Sequence, residues 1–209
     1  MIDSAVTPEV VPSAHKDCRR SPQIDEASGR AYVTAMALSA HDIRLAFDAL
    51  STELQDIGER SEIVIVGGAA LALLFGARET TKDVDAVILT PEAATVRNAV
   101  ARVADRLHLP EDWLNDGAKG FVVEITLGAV VYESSFLCVR AASTMQLMAM
   151  KLAAWRDAVD REDARILLKS IPGSFDEVWD QVAPLVPAAQ MDKASYAFED
   201  LWESIHGSR

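Results

Sequence analysis

The 209-residue chain has only two cysteines, Cys18 and Cys138, far apart and in no metal-binding spacing. That excludes a disulfide framework or a thiolate metal site, and suits a reducing, cytoplasmic setting. Histidine is as scarce: His15, His41, His108 and His206 are scattered, in neither metal nor triad spacing. No apolar run approaches the ~18 uncharged residues of a membrane span, so no membrane association is expected. Residues 1–20 lack the charged start and apolar middle of a secretory signal. Internal repeats and low-complexity stretches are also missing.

Positive charge is the largest deficit. Twenty Lys and Arg stand against 32 Asp and Glu, giving a net charge of −12 and a pI near 4.7. Proteins that grip nucleic acid over a wide surface carry a basic stripe, so an extended groove of that kind is disfavoured. Residues 140–169 are the exception, with six Lys or Arg against four Asp or Glu. A small anionic ligand held by a few cations remains compatible with this balance.

What is present is apolar: half of the residues are hydrophobic, ample for the core of one domain with an appendage. Residues 1–36 are rich in Pro, Ser, Ala and charge and read as a loose arm. Organised pattern begins near Met36. Ser39 and Asp42 form a capping box for a helix to about Asp56 with the stripe Ile43, Phe47, Leu50, Leu54 and Ile57. A strand over 62–66, the pair Gly67-Gly68 and a short helix ended by Gly76 follow. A strand is expected at about 84–89, then a helix from Thr90-Pro91 to about Leu107. Residues 108–120 read as a loop or broken helix. Strands at about 121–126 and 130–139 are predicted to form a hairpin around Leu127-Gly128.

From Ser143 the period is helical throughout. Helices are expected over 143–159, opened by a capping box of Ser143 and Gln146, and over 160–171, then one capped by Ser174 and Glu177 and one over 192–206. The fold class is α+β: a small mixed sheet flanked by helices (37–142), followed by a helical C-terminal region (143–209).

Two segments carry chemistry. In "VGGAALALLFGARETTKDVDAVIL" (66–89), glycines end a strand and open a helix, where bare N–H groups suit phosphate oxygens. Sterics of a strand-to-helix turn explain the same glycines. Asp83 and Asp85 straddle Val84, so an extended chain places both carboxylates on one face. Such neighbours repel unless countered. Arg78 and Lys82 could pair with them, or a Mg²⁺ ion, which prefers oxygen ligands, could bind between them.

The stretch resembles the nucleotidyltransferase superfamily of DNA polymerase β type, whose pattern is h-G-[GS], a short gap, then D-h-[DE]-h. Val66-Gly67-Gly68 and Asp83-Val84-Asp85-Ala86 fit that pattern, with the gap over residues 69–82 one residue wider than usual. The segment from Arg78 through Asp83 is similar to the start of the R-x-T-x-D-x-D motif of related toxins, with one residue added. The resemblance implies a nucleotidyltransferase fold and transfer of a nucleoside monophosphate from an NTP. Asp83 and Asp85 would hold one or two Mg²⁺ ions, Gly67 and Gly68 the phosphates, and Arg78, Thr81 and Lys82 would border the nucleotide. A third metal carboxylate is usual on a later strand, and Glu124 in "FVVEITL" is the candidate, ahead of Glu133 and Asp116.

The second segment begins in a helix apolar nearly all round, with Lys151 as its only charge between Met145 and Trp155. Such a helix is buried, so Lys151 must either snorkel out or meet an anion. In the next helix, helical period puts Asp160 and Asp163 on the apolar stripe with Ala164, Leu167, Leu168 and Ile171. A carboxylate on that stripe needs a partner: Lys151, Arg156 or helix N–H groups. N-capping explains Asp160 alone, but not Asp163. Trp113, Trp155, Trp179 and Trp202 read as packing residues, and a nucleobase could also stack near Trp155.

This segment resembles the K-x-x-A-x-x-R-x-x-x-D-x-x-D-h motif of AbiEii-type nucleotidyltransferase toxins of abortive-infection and toxin–antitoxin systems. Lys151, Ala154, Arg156, Asp160 and Asp163 fit, Arg156 one position early. The resemblance implies that Lys151 and Asp163 are catalytic, that Lys151, Arg156 and Asp160 contact the nucleotide, and that the partners include a cognate antitoxin and an acceptor such as tRNA. A small-molecule acceptor is the second enzymatic reading. A non-catalytic, nucleotide- or partner-binding member of the fold is the alternative outside enzymes, since Ala69 stands where many relatives carry Ser or Thr.

Overall fold

The computed structural model describes residues 37–89 and 93–207, without the side chains of Lys119 and Phe121, within one compact unit, Ala35–Arg209. The arm at 1–36 and the helix start at Thr90-Pro91 lie outside the described residues. No helix among the described residues is long and apolar enough to cross a membrane.

A two-residue strand, β1 (Leu38–Ser39), leads into α1 (Ala40–Asp56), which Ser39 and Asp42 close with a capping box. Then follow β2 (Ser61–Ile65), α2 (Gly67–Phe75), β3 (Thr80–Thr81), β4 (Val84–Ile88) and α3 (Ala93–Leu107). The middle of the chain holds β5 (Leu114–Asn115), a 3₁₀ turn over Gly117–Phe121, β6 (Leu127–Glu133) and β7 (Leu137–Ala142). Four helices end it: α4 (Thr144–Ala154), α5 (Ala158–Ser170), α6 (Phe175–Val182) and α7 (Met191–His206). The chain is thus α+β, with a five-stranded mixed sheet in the order β5-β4-β2-β7-β6 and a two-stranded sheet of β1 and β3.

Position in this sheet follows from composition. Ile63, Val64 and Ile65 are all fully buried, as a central strand covered on both faces requires. β2 accordingly pairs antiparallel with β4 and parallel with β7. Phe47 of α1 packs against Trp113 and Tyr132, while Phe175, Trp179, Phe198 and Trp202 join α6 to α7. α4 touches α2, α5, α6 and α7, and so links the helical part to the sheet.

Three expectations are corrected. Residues 121–126 form no strand: Thr126 N–H donates to Gln146 Oε1, Thr126 carbonyl accepts from Ser143 N–H, and Glu124 carbonyl accepts from Gln146 Nε2. The start of α4 thus satisfies backbone groups that a neighbouring strand would otherwise bind. Leu127-Gly128 begins β6 and is no turn, and the hairpin reverses at residues 134–136. Gly128 is needed because a Cβ there would lie 2.6 Å from the Ala142 carbonyl oxygen, where β6 and β7 slip register. Finally, α4 stops at Ala154, where Trp155 turns left-handed (φ 32°), and Asp157 rather than Asp160 caps α5 through the N–H groups of Val159 and Asp160.

Candidate functional site

Asp83 precedes β4 and Asp85 lies within it, with the fully buried Val84 between them facing the core. Asp85 carbonyl accepts from Val66 N–H at 2.9 Å, which ties the acid strand to the turn before α2. That turn is fitted to the acids. A Cβ on Gly67, whose φ is 64°, would lie 3.1 Å from Asp85 Oδ2. A Cβ on Gly68 would come within 2.7 Å of Thr81 Oγ1 and 3.0 Å of Arg78 Nη1. The Cα side of each glycine is therefore filled by protein. Sterics are one reason for the pair, and what α2 offers an anion is its backbone N–H groups. Val66, the N-cap, gives them no side-chain acceptor.

Burial, then repulsion from Asp83, raises the Asp85 carboxyl above its ordinary value, while Lys151 and Arg156 pull it back. The two segments singled out in the sequence are thus within electrostatic reach of one another. Lys151 does not snorkel. It is 7% exposed, and Nζ lies 3.0 Å from Asp160 Oδ1 and 2.8 Å from Asp163 Oδ2. Arg78 binds Asp163 through both Nε and Nη2, and Arg156 binds Asp160 through Nε at 2.9 Å and through its backbone N–H. Burial alone would raise the Asp160 carboxyl, but bonds from Arg156 and Lys151 hold it well below the usual carboxylate range. Three cations thus share two carboxylates in a chain running from the α2–β3 loop through α5 to the α4–α5 corner. Arg156 stands at its outer end with a side chain 72% exposed.

The other candidates are placed differently. Thr81 is buried in β3, and its Oγ1 donates to Asp83 carbonyl at 3.2 Å. Lys82 is exposed. Glu124 lies exposed in a bend rather than on a strand, and among the described residues no set of three or more His, Cys, Asp or Glu side chains is placed to hold a metal. The expected grouping of Glu124 with Asp83 and Asp85 is corrected accordingly. Asp116 meets Arg97 at 3.6 Å, and Glu133 ends β6 opposite Cys138. Trp113 is core, donating through Nε1 to Val100 carbonyl, and Trp155 lies under the Arg161 guanidinium at 5.7 Å.

Sequence reasoning missed Asn115, whose Nδ2 donates to Asp83 Oδ2 at 3.2 Å. No spacing marks it, because the contact comes from strand pairing. The donor set suits a hard cation: Asp83 and Asp85 offer oxygens alone, and Mg²⁺ commonly takes one or two carboxylates and completes its shell with phosphate oxygens and water.

Comparison with curated proteins and with solved structures found no match. A family model does match, over residues 44–166, a stretch from α1 into α5 that contains both constellations. The chain belongs to the family described as "Nucleotidyltransferase of unknown function (DUF6036)".

Proposed function

We propose that this chain is a Mg²⁺-dependent nucleotidyltransferase that moves a nucleoside monophosphate from an NTP to an acceptor hydroxyl and releases pyrophosphate. The observation that carries this reading is the convergence of three features: the α2 N-terminus, the Asp83/Asp85 pair and the Lys151–Asp160–Arg156 chain. Asp83 and Asp85 would hold the ion, which when bound neutralises phosphate charge and orients the attacking oxygen at the α-phosphorus. First-turn N–H groups of α2 donate to phosphate oxygens, helped by the positive end of the helix. Arg156, tethered at Nε yet largely exposed, adds a guanidinium for the same anion. Lys151 supplies a fixed positive charge within electrostatic reach of Asp85. Asp163 has both oxygens engaged by Arg78 and Lys151, which supports a role in orienting those cations over one as a base.

Purified chain with labelled NTPs, Mg²⁺ and cell extract tests this. Label should enter a discrete acceptor with the wild type and fall to background for Asp83→Ala with Asp85→Ala. No labelling, or equal labelling by the variant, would point instead to a nucleotide-binding member without transfer. The likeness of residues 145–168 to AbiEii-type toxins supports a growth-inhibiting role held in check by an antitoxin, with tRNA as one acceptor. The net charge of −12 restricts docking of such an RNA to the basic stretch 140–169.

A further inference from the structure

Asn115 connects the two carboxylates through the sheet. It is the last residue of β5, the edge strand parallel to β4, and is the register partner of Asp85. Its amide is engaged at both ends. Oδ1 accepts from Gly117 N–H at 2.7 Å, so Nδ2 must face the other way, where it donates to Asp83 Oδ2 and to Asp112 carbonyl, each at 3.2 Å. The chain then passes Gly117, where a Cβ would lie 2.9 Å from Asn115 Oδ1 and 3.5 Å from Asp85 Oδ1. One short segment, 115–117, therefore bonds Asp83 and runs past Asp85, near enough that a Cβ on Gly117 would be in van der Waals contact with its carboxylate.

The choice of an amide has a physical reason. A carboxylate at this position would add a third negative charge beside two that already repel. An amide offers a neutral donor instead. It occupies one oxygen of Asp83, fixes the plane of that carboxylate, and leaves the other oxygen unclaimed by Asn115.

We propose that Asn115 is a positioning residue that turns the Asp83 carboxylate toward a divalent ion shared with Asp85 and keeps the site at two carboxylates. This rests on the metal-binding reading of Asp83 and Asp85 above. Partners that orient metal ligands are worth roughly 10–100-fold in metal affinity.

The test uses Mn²⁺ alone, titrated into the full-length, NTP-free protein and followed by the electron paramagnetic resonance signal of the unbound ion. Asn115→Ala should bind Mn²⁺ about 10-fold more weakly than wild type, with a similar unfolding midpoint in chelator. Asn115→Asp retains the acceptor for Gly117 and supplies a third carboxylate. It should bind Mn²⁺ about 10-fold more tightly, since ligand charge tunes affinity. Wild-type affinity in Asn115→Ala overturns the proposal. So does Asn115→Asp binding no more tightly than wild type, which decides the matter if the alanine variant fails to fold. Wild type binding Mn²⁺ no better than Asp83→Asn overturns the metal reading itself, and this proposal with it.

Discussion

Lys151 was legible as an anomaly because it is the only charge in an apolar stretch, and Asp160 and Asp163 because helical period puts them on a buried stripe. Which cation meets which acid was not legible, since Arg78 reaches Asp163 across 85 positions of chain. Asn115 escaped for the same reason: a contact between paired strands leaves no local period. The pairing has a consequence for stability. Without Lys151, each acid keeps a guanidinium, Asp160 that of Arg156 and Asp163 that of Arg78. Without Asp163, Arg78 loses its carboxylate and Lys151 keeps only Asp160. Breaking a buried pair by removing one partner costs about 3–5 kcal/mol. Asp163→Ala should lose stability on that scale, and Lys151→Met clearly less, although both should be defective in nucleotide transfer. Urea unfolding of the two variants provides the comparison. A Lys151→Met variant as unstable as Asp163→Ala would show that the lysine holds the fold together.

Among elements, those with a cap or a strong period were read well. The capping boxes at Ser39 and Ser174 form as expected, that at Ser143 only in its serine half because the Gln146 side chain bonds Thr126 and Glu124 instead, and α7 lies within one residue of its expected start. Elements whose partners lie elsewhere were misread. The apolar and β-branched residues over 121–126 suggested a strand, but Gln146 and Ser143 bind that backbone instead. Gly128 looked like a turn residue, and its actual role, close backbone approach at a bulge, is invisible without the neighbouring strand. Two glycine substitutions separate these causes. Gly76 caps α2 with φ 58° and open space around its Cα, so Gly76→Ala meets only left-handed strain of roughly 1–2 kcal/mol. Gly128→Ala would press a methyl into the carbonyl oxygens of Ala142 and Ala141, at 2.6 and 2.9 Å, which are backbone atoms that cannot swing aside. Its urea midpoint should therefore fall further than that of Gly76→Ala, at an unchanged slope. Equal shifts would mean that the β6–β7 edge yields readily.

At the scale of the whole molecule, two carboxyls, half-buried Asp85 and buried Asp160, oppose each other in their dependence on pH. Asp85 is raised, so the folded chain takes up its proton more readily than the unfolded chain. Its ionised form is a destabilising load at neutral pH, relieved as pH falls through the folded value. Asp160 is depressed, so its stabilisation is complete above the unfolded value of about 3.9 and drains away as pH falls below it. The net charge of −12 adds self-repulsion that fades toward the pI near 4.7 and is screened by salt. In chelator, the unfolding midpoint should therefore rise as pH is lowered from about 8 toward the pI near 4.7 and fall below about pH 4. High salt should flatten the part of the rise due to net charge, but not the part due to burial of Asp85. Asp85→Asn removes that part: its midpoint should exceed that of wild type at about pH 8, with the gap narrowing as pH falls and closing only below the unfolded value of about 3.9, while transfer activity is lost. Calorimetry of both proteins across this range is the check. Parallel curves would mean that Asp85 is not the strained acid, and that neutral-pH instability belongs to the surface charge alone.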